Sequence, residues 1–293
     1  MHIRESSARK TFKVVNAILL TLFGFCCLAP MLHVLSSSFS DPIALTRDQG
    51  FHLLPVFPLN LSGYKTVLSY RNIAVGYGNT LFYVIIGTVL NLILTTIAAY
   101  VLSNKRFAPR NKIMLLMAFT MLFNGGMIPN YMLVRNLGLI DSRAAVLLPG
   151  AFSVFNLVIM RTSFAEIPAS LEESARLDGA NDLQILMRII IPVSKATIAV
   201  IGLFVAITFW NSWFTASIYL QDREKWPLQM FLREILITTS QRSLDSGARM
   251  NTVVQQTLVK YCTIIVATIP ILCIYPFVQK YFVKGIMLGS IKG

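Results

Sequence analysis

The residues of this chain that could do chemistry are few, and their spacing withholds most reactions. The histidines stand at His2, His33 and His52, with no pair at metal-ligand spacing. No Gly-x-Ser-x-Gly occurs, so no strained nucleophile turn is encoded. No Gly-Lys dipeptide occurs, which removes the Walker A phosphate loop. Cys26, Cys27, Cys262 and Cys273 lie in apolar runs without Cys-x-x-Cys spacing and read as small apolar side chains. What remains is binding chemistry. Asn91, Asn124, Asn156 and Asn211 are amides inside apolar runs, and each needs a hydrogen-bond partner, either a neighbouring helix or a polar ligand. Trp210, Trp213, Phe214 and Ser217 recur at i, i+3, i+4 and i+7, which is one face of a helix. The same tryptophans would also suit an aromatic belt at a membrane surface.

The elements that must hold these residues follow from composition. The chain has 293 residues, of which 55% are hydrophobic and 13% charged. Its mean hydropathy is +0.64. Soluble domains carry about 25% charged residues, so an ordinary soluble enzyme is excluded and an all-α integral membrane protein is expected. A membrane helix needs about 20 apolar residues. Six transmembrane helices are expected, over about 14–35, 81–102, 113–132, 145–160, 197–220 and 261–282. The third is interrupted at Asn124-Gly125-Gly126, the fourth holds Pro149, and the sixth holds Pro270 and Pro276. The first run is longer than a signal-peptide core and reads as a retained helix.

Charge orients the spans. Lys and Arg number 26 against 13 acidic residues, a net charge of +13. Nucleic-acid binding is a poor explanation, because the bases are dispersed between long apolar runs. Segments 1–13, 103–112 and 280–293 carry 11 basic residues and one acidic residue. The positive-inside rule then sets both termini in the cytoplasm. Three regions are expected: 1–75 with the first helix and an outer loop; a core at 76–284 with a cytoplasmic loop at 161–195 and an outer loop at 221–252; and a cytoplasmic tail at 285–293.

Loop 161–195 breaks the trend with five acidic residues to four basic. It also carries two sets of helix signals. Ser170-Leu171-Glu172-Glu173 fits a capping box, and Glu172 and Arg176 form an i,i+4 pair. Gly179 stops the helix by taking a left-handed conformation. Asn181 or Asp182 caps a second helix through Arg188, and Pro192 ends it. Small residues at Ser174, Ala175 and Gly179 allow a partner surface to approach, while Glu173 and Asp178 offer it charge.

These positions carry a resemblance. Glu173-Ser174-Ala175, three residues, Gly179, nine residues, Ile189, one residue and Ile191-Pro192 resemble the Glu-Ala-Ala loop of ABC importer permeases. Ser174 replaces an Ala of that pattern and Ile191 a Leu, both conservative in size. Trp210-Asn211-Ser212-Trp213-Phe214 resembles a stretch of the carbohydrate permeases. The ending Gly285 through Gly289, Lys292 and Gly293 resembles that of the maltose-importer-type inner subunit. The 123–129 and 275–285 stretches are similar to a sub-branch that handles uronate-rich oligosaccharides, including pectin fragments and alginate.

The resemblance implies a type I ABC importer permease fold and no enzyme activity. It implies an ATPase-coupling role for Glu172, Glu173, Ser174, Ala175, Asp178, Gly179, Ile189 and Pro192, and a tail that reaches the ATPases through Gly289, Lys292 and Gly293. It implies that this chain binds no cofactor, with ATP and Mg on a partner ATPase dimer. A second homologous permease, a periplasmic or extracellular solute-binding protein, the lipid bilayer of a bacterial inner membrane and a saccharide are the other implied partners. Nucleic acid is not among them. Sugar rings have apolar faces and polar edges, so Asn91, Asn124, Asn156, Trp210, Asn211, Trp213 and Ser217 become candidates for a substrate pathway. Trp226 and Phe231 become candidates for contact with the binding protein, although that segment would also suit a helix lying on the membrane. The cargo is expected to be alginate or a related acidic oligosaccharide, with a neutral maltodextrin-like sugar as the alternative.

Overall fold

The computed structural model describes residues 7–48, 50–123, 125–244, 257–274 and 276. All their regular elements are helical. In chain order these are α1 (Ser7–Phe39), α2 (Pro42–Arg47), α3 (Ser62–Leu68), α4 (Arg71–Ser103), α5 (Arg110–Leu122), α6 (Met127–Asn136), α7 (Arg143–Leu147), α8 (Val154–Ala165), α9 (Ala169–Leu177), α10 (Asp182–Ile185), α11 (Ile191–Val193), α12 (Lys195–Trp210), α13 (Trp213–Tyr219), α14 (Leu228–Leu244) and α15 (Thr257–Ile274). A π-turn at Leu186–Ile190 joins α10 to α11. The described residues fall into two compact units, those of Met1–Tyr70 with Glu234–Ile269 and those of Arg71–Arg233 with Pro270–Gly293.

Three helices are long and apolar enough to span a bilayer alone: the Ala8–Phe39 portion of α1, all of α4, and α15. Two bent pairs, α5 with α6 at 112° and α10–α11 with α12 at 83°, raise the number to at most five, if each pair counts as one span. The fourth expected span, over 145–160, is broken. Pro149 has no backbone N–H to extend a helix, and the chain leaves helical geometry between α7 and α8. The 12 residues of α8 reach about 18 Å, short of the ~30 Å hydrocarbon thickness. The expected third span does part where Gly125 and Gly126 lie, and Gly126 takes φ +89°. Of the expected sixth span, the stretch beyond Pro276 lies outside the described residues.

In the first unit, His33 and His52 meet through a backbone hydrogen bond. The His33 Nδ1 accepts the His52 backbone N–H at 3.0 Å, and the His33 ring stacks on Phe51 at 4.8 Å. All four cysteines are free, and the buried one is Cys262.

The second unit is organised on α4. Its buried residues, Ile73, Gly76, Asn79, Thr80, Tyr83, Gly87, Asn91, Thr95 and Ala99 among them, recur every three or four positions and so form one stripe. That stripe packs on α8 and α12. The opposite face leaves Leu81, Ile85, Val89, Ile93 and Ile97 exposed, as an apolar solvent or a second protein would require. The core joins Tyr83, Ala99, Tyr100 and Leu102 of α4 to Leu157, Met160 and Phe164 of α8 and to Ile201, Val205 and Phe209 of α12.

Candidate functional site

Loop 161–195 folds largely as its local signals dictate. α9 ends at a left-handed Gly179, φ +82°. The Gly179 N–H donates to the Arg176 carbonyl at 3.0 Å and the Ala180 N–H to the Ala175 carbonyl at 2.9 Å. This is the Schellman arrangement, and glycine adopts it without the Cβ penalty of other residues. Asn181 then caps α10. Its side chain accepts the Gln184 N–H while the Gln184 side chain accepts the Asn181 N–H, each at 2.9 Å.

Two expectations fail here. Ser170 is not a cap: α9 starts at Ala169 after Pro168, and no side chain caps its first turn. Proline at the boundary sets the entry φ itself and leaves Ser170 inside the helix. Arg176 also turns from Glu172 and pairs with Asp182 across the Gly179 turn. That bond lifts the Arg176 guanidinium further above its ordinary range.

The loop has two physically different halves. α9 buries none of its residues. Glu173, Ser174, Asp178 and Gly179 are exposed, Glu172 and Ala175 half-buried. Exposed Leu171, Leu177, Leu183 and Met187 add apolar surface of a kind partner proteins cover. Glu172, Glu173 and Arg176 also line a cleft of about 210 Å³ with Ser103, Asn104, Lys105 and Arg106. By contrast, Ile185, Leu186 and Ile190 sit at 0%, 5% and 1% exposure in the core. The Tyr100 hydroxyl adds one polar tie to Asp182 at 3.3 Å.

The chain does not end its helix at Pro192. A π-turn places one extra residue before it, with the Ile191 N–H donating to the Leu186 carbonyl. The break comes at Ser194, where the path turns 83° into α12. Half-buried Ile189 lies in the π-turn, and Pro192 is exposed on the short helix after it.

The amide and aromatic candidates separate into two places. Asn91, 1% exposed, donates to the Gly150 carbonyl at 3.1 Å and accepts the Thr95 hydroxyl at 3.3 Å. Asn91 and Asn156 border one cavity of about 500 Å³, with Ser153, Phe155, Phe204 and Thr208. Asn124 lies outside the described residues, as do Gly289, Lys292 and Gly293.

The expected single stripe from Trp210 to Ser217 is broken. Asn211 and Ser212 leave helical geometry, and the Asn211 side chain folds back onto the Ile207 carbonyl at 3.1 Å. Trp210 turns inward at 5% exposure, edge-on to Tyr77. Asn211, Phe214 and Ser217 stay exposed, with Trp213 half-buried.

The 221–231 segment holds residues that sequence reasoning missed. Asn79 donates to the Glu224 and Trp226 carbonyls at 2.7 and 3.0 Å and accepts from Arg143 at 3.0 Å. The Tyr83 hydroxyl donates to the Lys225 carbonyl at 2.8 Å, and Thr80 accepts the Leu228 N–H at 2.8 Å. Asp141, left-handed at φ 58°, accepts the Gln221 and Asp222 N–H groups at 3.0 and 2.9 Å. Those amide donors, the Asp222 one foremost, with the Lys225 ammonium, hold the Asp141 carboxyl below its usual range. The Asp141 hydrogen bond in turn raises Lys225.

The result is a strap across α4. Gly76 allows it, since a Cβ there would meet the Leu228 Cα and the Phe231 ring at 2.9 Å. Phe231 is consequently 2% exposed and is not presented to a partner, contrary to expectation. Trp226 is half-buried beneath Arg223, whose guanidinium lies 4.9 Å from its ring. The hydrogen bonds that fix the strap to α4 and to Asp141 and Arg143 join residues 64 to 148 positions apart, so no local spacing announced it.

Known proteins resemble this chain in sequence and in fold. A family model described as "binding-protein-dependent transport system inner membrane component" matches residues 112–288. The chain is 42% identical over 280 residues, 94% of its length and 96% of the relative's, to the polygalacturonan/rhamnogalacturonan transport system permease protein YtcP of Bacillus subtilis strain 168. It is 37% identical over 293 residues, 99% and 98% of the two lengths, to Protein LplC of the same organism. In fold it is similar, at TM-score 0.84 and 38% identity over 96% of this chain and 99% of the other, to a chain of a crystal structure of a bacterial ABC transporter involved in the import of the acidic polysaccharide alginate. The first of these is named a transport system permease and the last is part of a transporter, so the similarity is to transport proteins and not to enzymes. With its described elements all helical and several of them apolar enough to span a membrane, this chain belongs to the family of inner membrane components of binding-protein-dependent transport systems.

Proposed function

We propose that this chain is one of two homologous permease subunits of a bacterial ATP-driven importer, and that its cargo is an acidic oligosaccharide of the pectin or alginate type. It sits in the cytoplasmic membrane with both termini inside, as the basic segments 1–13, 103–112 and 280–293 favour. A periplasmic or extracellular binding protein delivers the sugar. ATP and Mg belong to a separate ATPase pair that holds α9. The observation that carries the reading is the division of loop 161–195 into an exposed helix, α9, and a following segment anchored in the core by Ile185, Leu186 and Ile190. A partner that grips α9 pulls on Ile185, Leu186 and Ile190, and these seat the motion in the core. Beyond the 83° bend the pull becomes a tilt of α12, and the bundle changes which side it opens to. The names of the similar permease and of the similar structure support an acidic cargo. Asn91, Asn156 and the exposed Asn211–Ser217 face supply the polar and aromatic groups along the path.

Reconstituting the importer and measuring ATP hydrolysis with binding protein carrying uronate or neutral oligosaccharides tests the cargo. Stimulation by the uronate form supports it, and stimulation by the neutral form alone overturns it. Gly179→Asp tests the coupling. The complex should still assemble and should lose its stimulated hydrolysis, while Gly179→Asn, which tolerates a left-handed φ, keeps part of it. Normal coupling in Gly179→Asp removes the loop from the mechanism.

A further inference from the structure

We infer that Arg233 and Trp213 form a subsite that reads the carboxylate of the sugar. The inference rests on the acidic-saccharide reading above and names the residues that would enforce it. α14 brings the Arg233 guanidinium to 4.0 Å from the Trp213 ring centroid. A guanidinium stacked on an indole keeps its N–H donors in its own plane, where the ring does not block them. Arg233 is exposed, and the ion pairs found among the described residues set no carboxylate against it. Its fork therefore stays available, held in one orientation by the ring beneath it. Bidentate pairing with a carboxylate is the chemistry that such a fork performs best.

The same corner carries a second, independent sign of a polar ligand. At the α12–α13 break the Trp210 Nε1 and the Ser212 hydroxyl are buried with no hydrogen-bond partner among the described residues. A buried donor without an acceptor is costly, and the hydroxyls of a bound sugar would remove that cost. Exposed Asn211, Phe214 and Ser217 continue the face with an amide, a ring and a hydroxyl. One charged fork, aromatic faces and scattered hydroxyl partners together match a hexuronate. A bare phosphate would use the fork alone and leave the rings idle.

The test uses the complete importer in vesicles, with uptake of a uronate oligosaccharide measured against that of its methyl ester. The wild type should prefer the free acid. Arg233→Gln should lower the acid-to-ester uptake ratio by about 10- to 100-fold, the size of a charge-assisted hydrogen bond. Arg233→Lys should recover only part, because it keeps the charge and loses the fork. An unchanged ratio in Arg233→Gln overturns the subsite and leaves the acidic-cargo reading standing. A wild type that carries acid and ester alike, or neither, overturns the cargo reading and the subsite with it. An effect of Arg233→Gln confined to vesicles of anionic lipid assigns the guanidinium to headgroups and overturns the subsite.

Discussion

The two ends of α4 are fastened in opposite ways. Near its start, Asn79, Thr80 and Tyr83 hold residues 224–228 by four hydrogen bonds of 2.7 to 3.0 Å to backbone groups of the strap, and the Arg143 side chain donates to Asn79 at 3.0 Å. Near its end, Tyr100 and Leu102 share an apolar core with Ile185, Leu186 and Ile190, and two polar ties reach the loop, Tyr100 to Asp182 and the Arg161 guanidinium to the Leu102 carbonyl at 3.0 Å. Hydrogen bonds weaken steeply as their angles change, so the strap holds one geometry. Apolar burial has no direction, so the loop can slide or tilt on its seat while area is conserved. Under the coupling proposed above, the difference teaches where movement belongs: the strap is the end expected to stay, and the loop end the one expected to move.

Replacing Ile190 by Ala should have the largest effect on the loop end. A 1% exposed side chain vacates a cavity, and unfolding in detergent should become easier by about 2–5 kcal/mol. Ile190→Leu keeps the volume and should cost less than about 1.5 kcal/mol. Next comes Asn79→Asp. It has the same shape, but it replaces the amide donor that serves two strap carbonyls, so about 1–3 kcal/mol should be lost. Equal costs for Ile190→Leu and Asn79→Asp would erase the contrast between a volume-sensitive seat and a geometry-sensitive strap.

Acid should then separate the ends further. The Asp141 carboxyl is lowered in the folded chain, so its stabilisation is complete above its unfolded value near ~3.9 and fades as pH falls through the lower folded value. Lys225 is raised, so its share is complete below about 10.4 and fades only as pH rises through its folded value. A fluorotryptophan NMR resonance assigned to Trp226 should therefore stay constant at intermediate pH and move only at the extremes. A transition near neutrality would mean that Asp141 is not what holds the strap. The smallest effect belongs to Tyr100→Phe, which removes one bond of 3.3 Å and should cost about 0.5–1.5 kcal/mol. A larger loss would show the loop end to be more polar in its fastening than its contacts indicate.

What the sequence made legible follows the reach of each signal. Gly179 and Asn181 were readable because capping acts within four residues. The tryptophan face misled, because period 3.6 was carried through Asn211 and Ser212, where the chain leaves the helix. Ser170 misled because Pro168 had already set the start of α9. The strap was illegible in kind. Asp141 and Lys225 stand 84 positions apart and entered the sequence reading only as two opposite charges.

Asn79 and Tyr100, the two fastening points on α4, are also a ruler. At 1.5 Å per residue they lie about 32 Å apart along the helix, close to the ~30 Å of a bilayer's hydrocarbon layer. A membrane of matching thickness would therefore place both polar clusters at its two surfaces without tilting α4. In bilayers of longer acyl chains one cluster must sink into hydrocarbon or the lipid must thin around the protein. Of the two ends, the strap is the one whose hydrogen bonds leave it least able to yield.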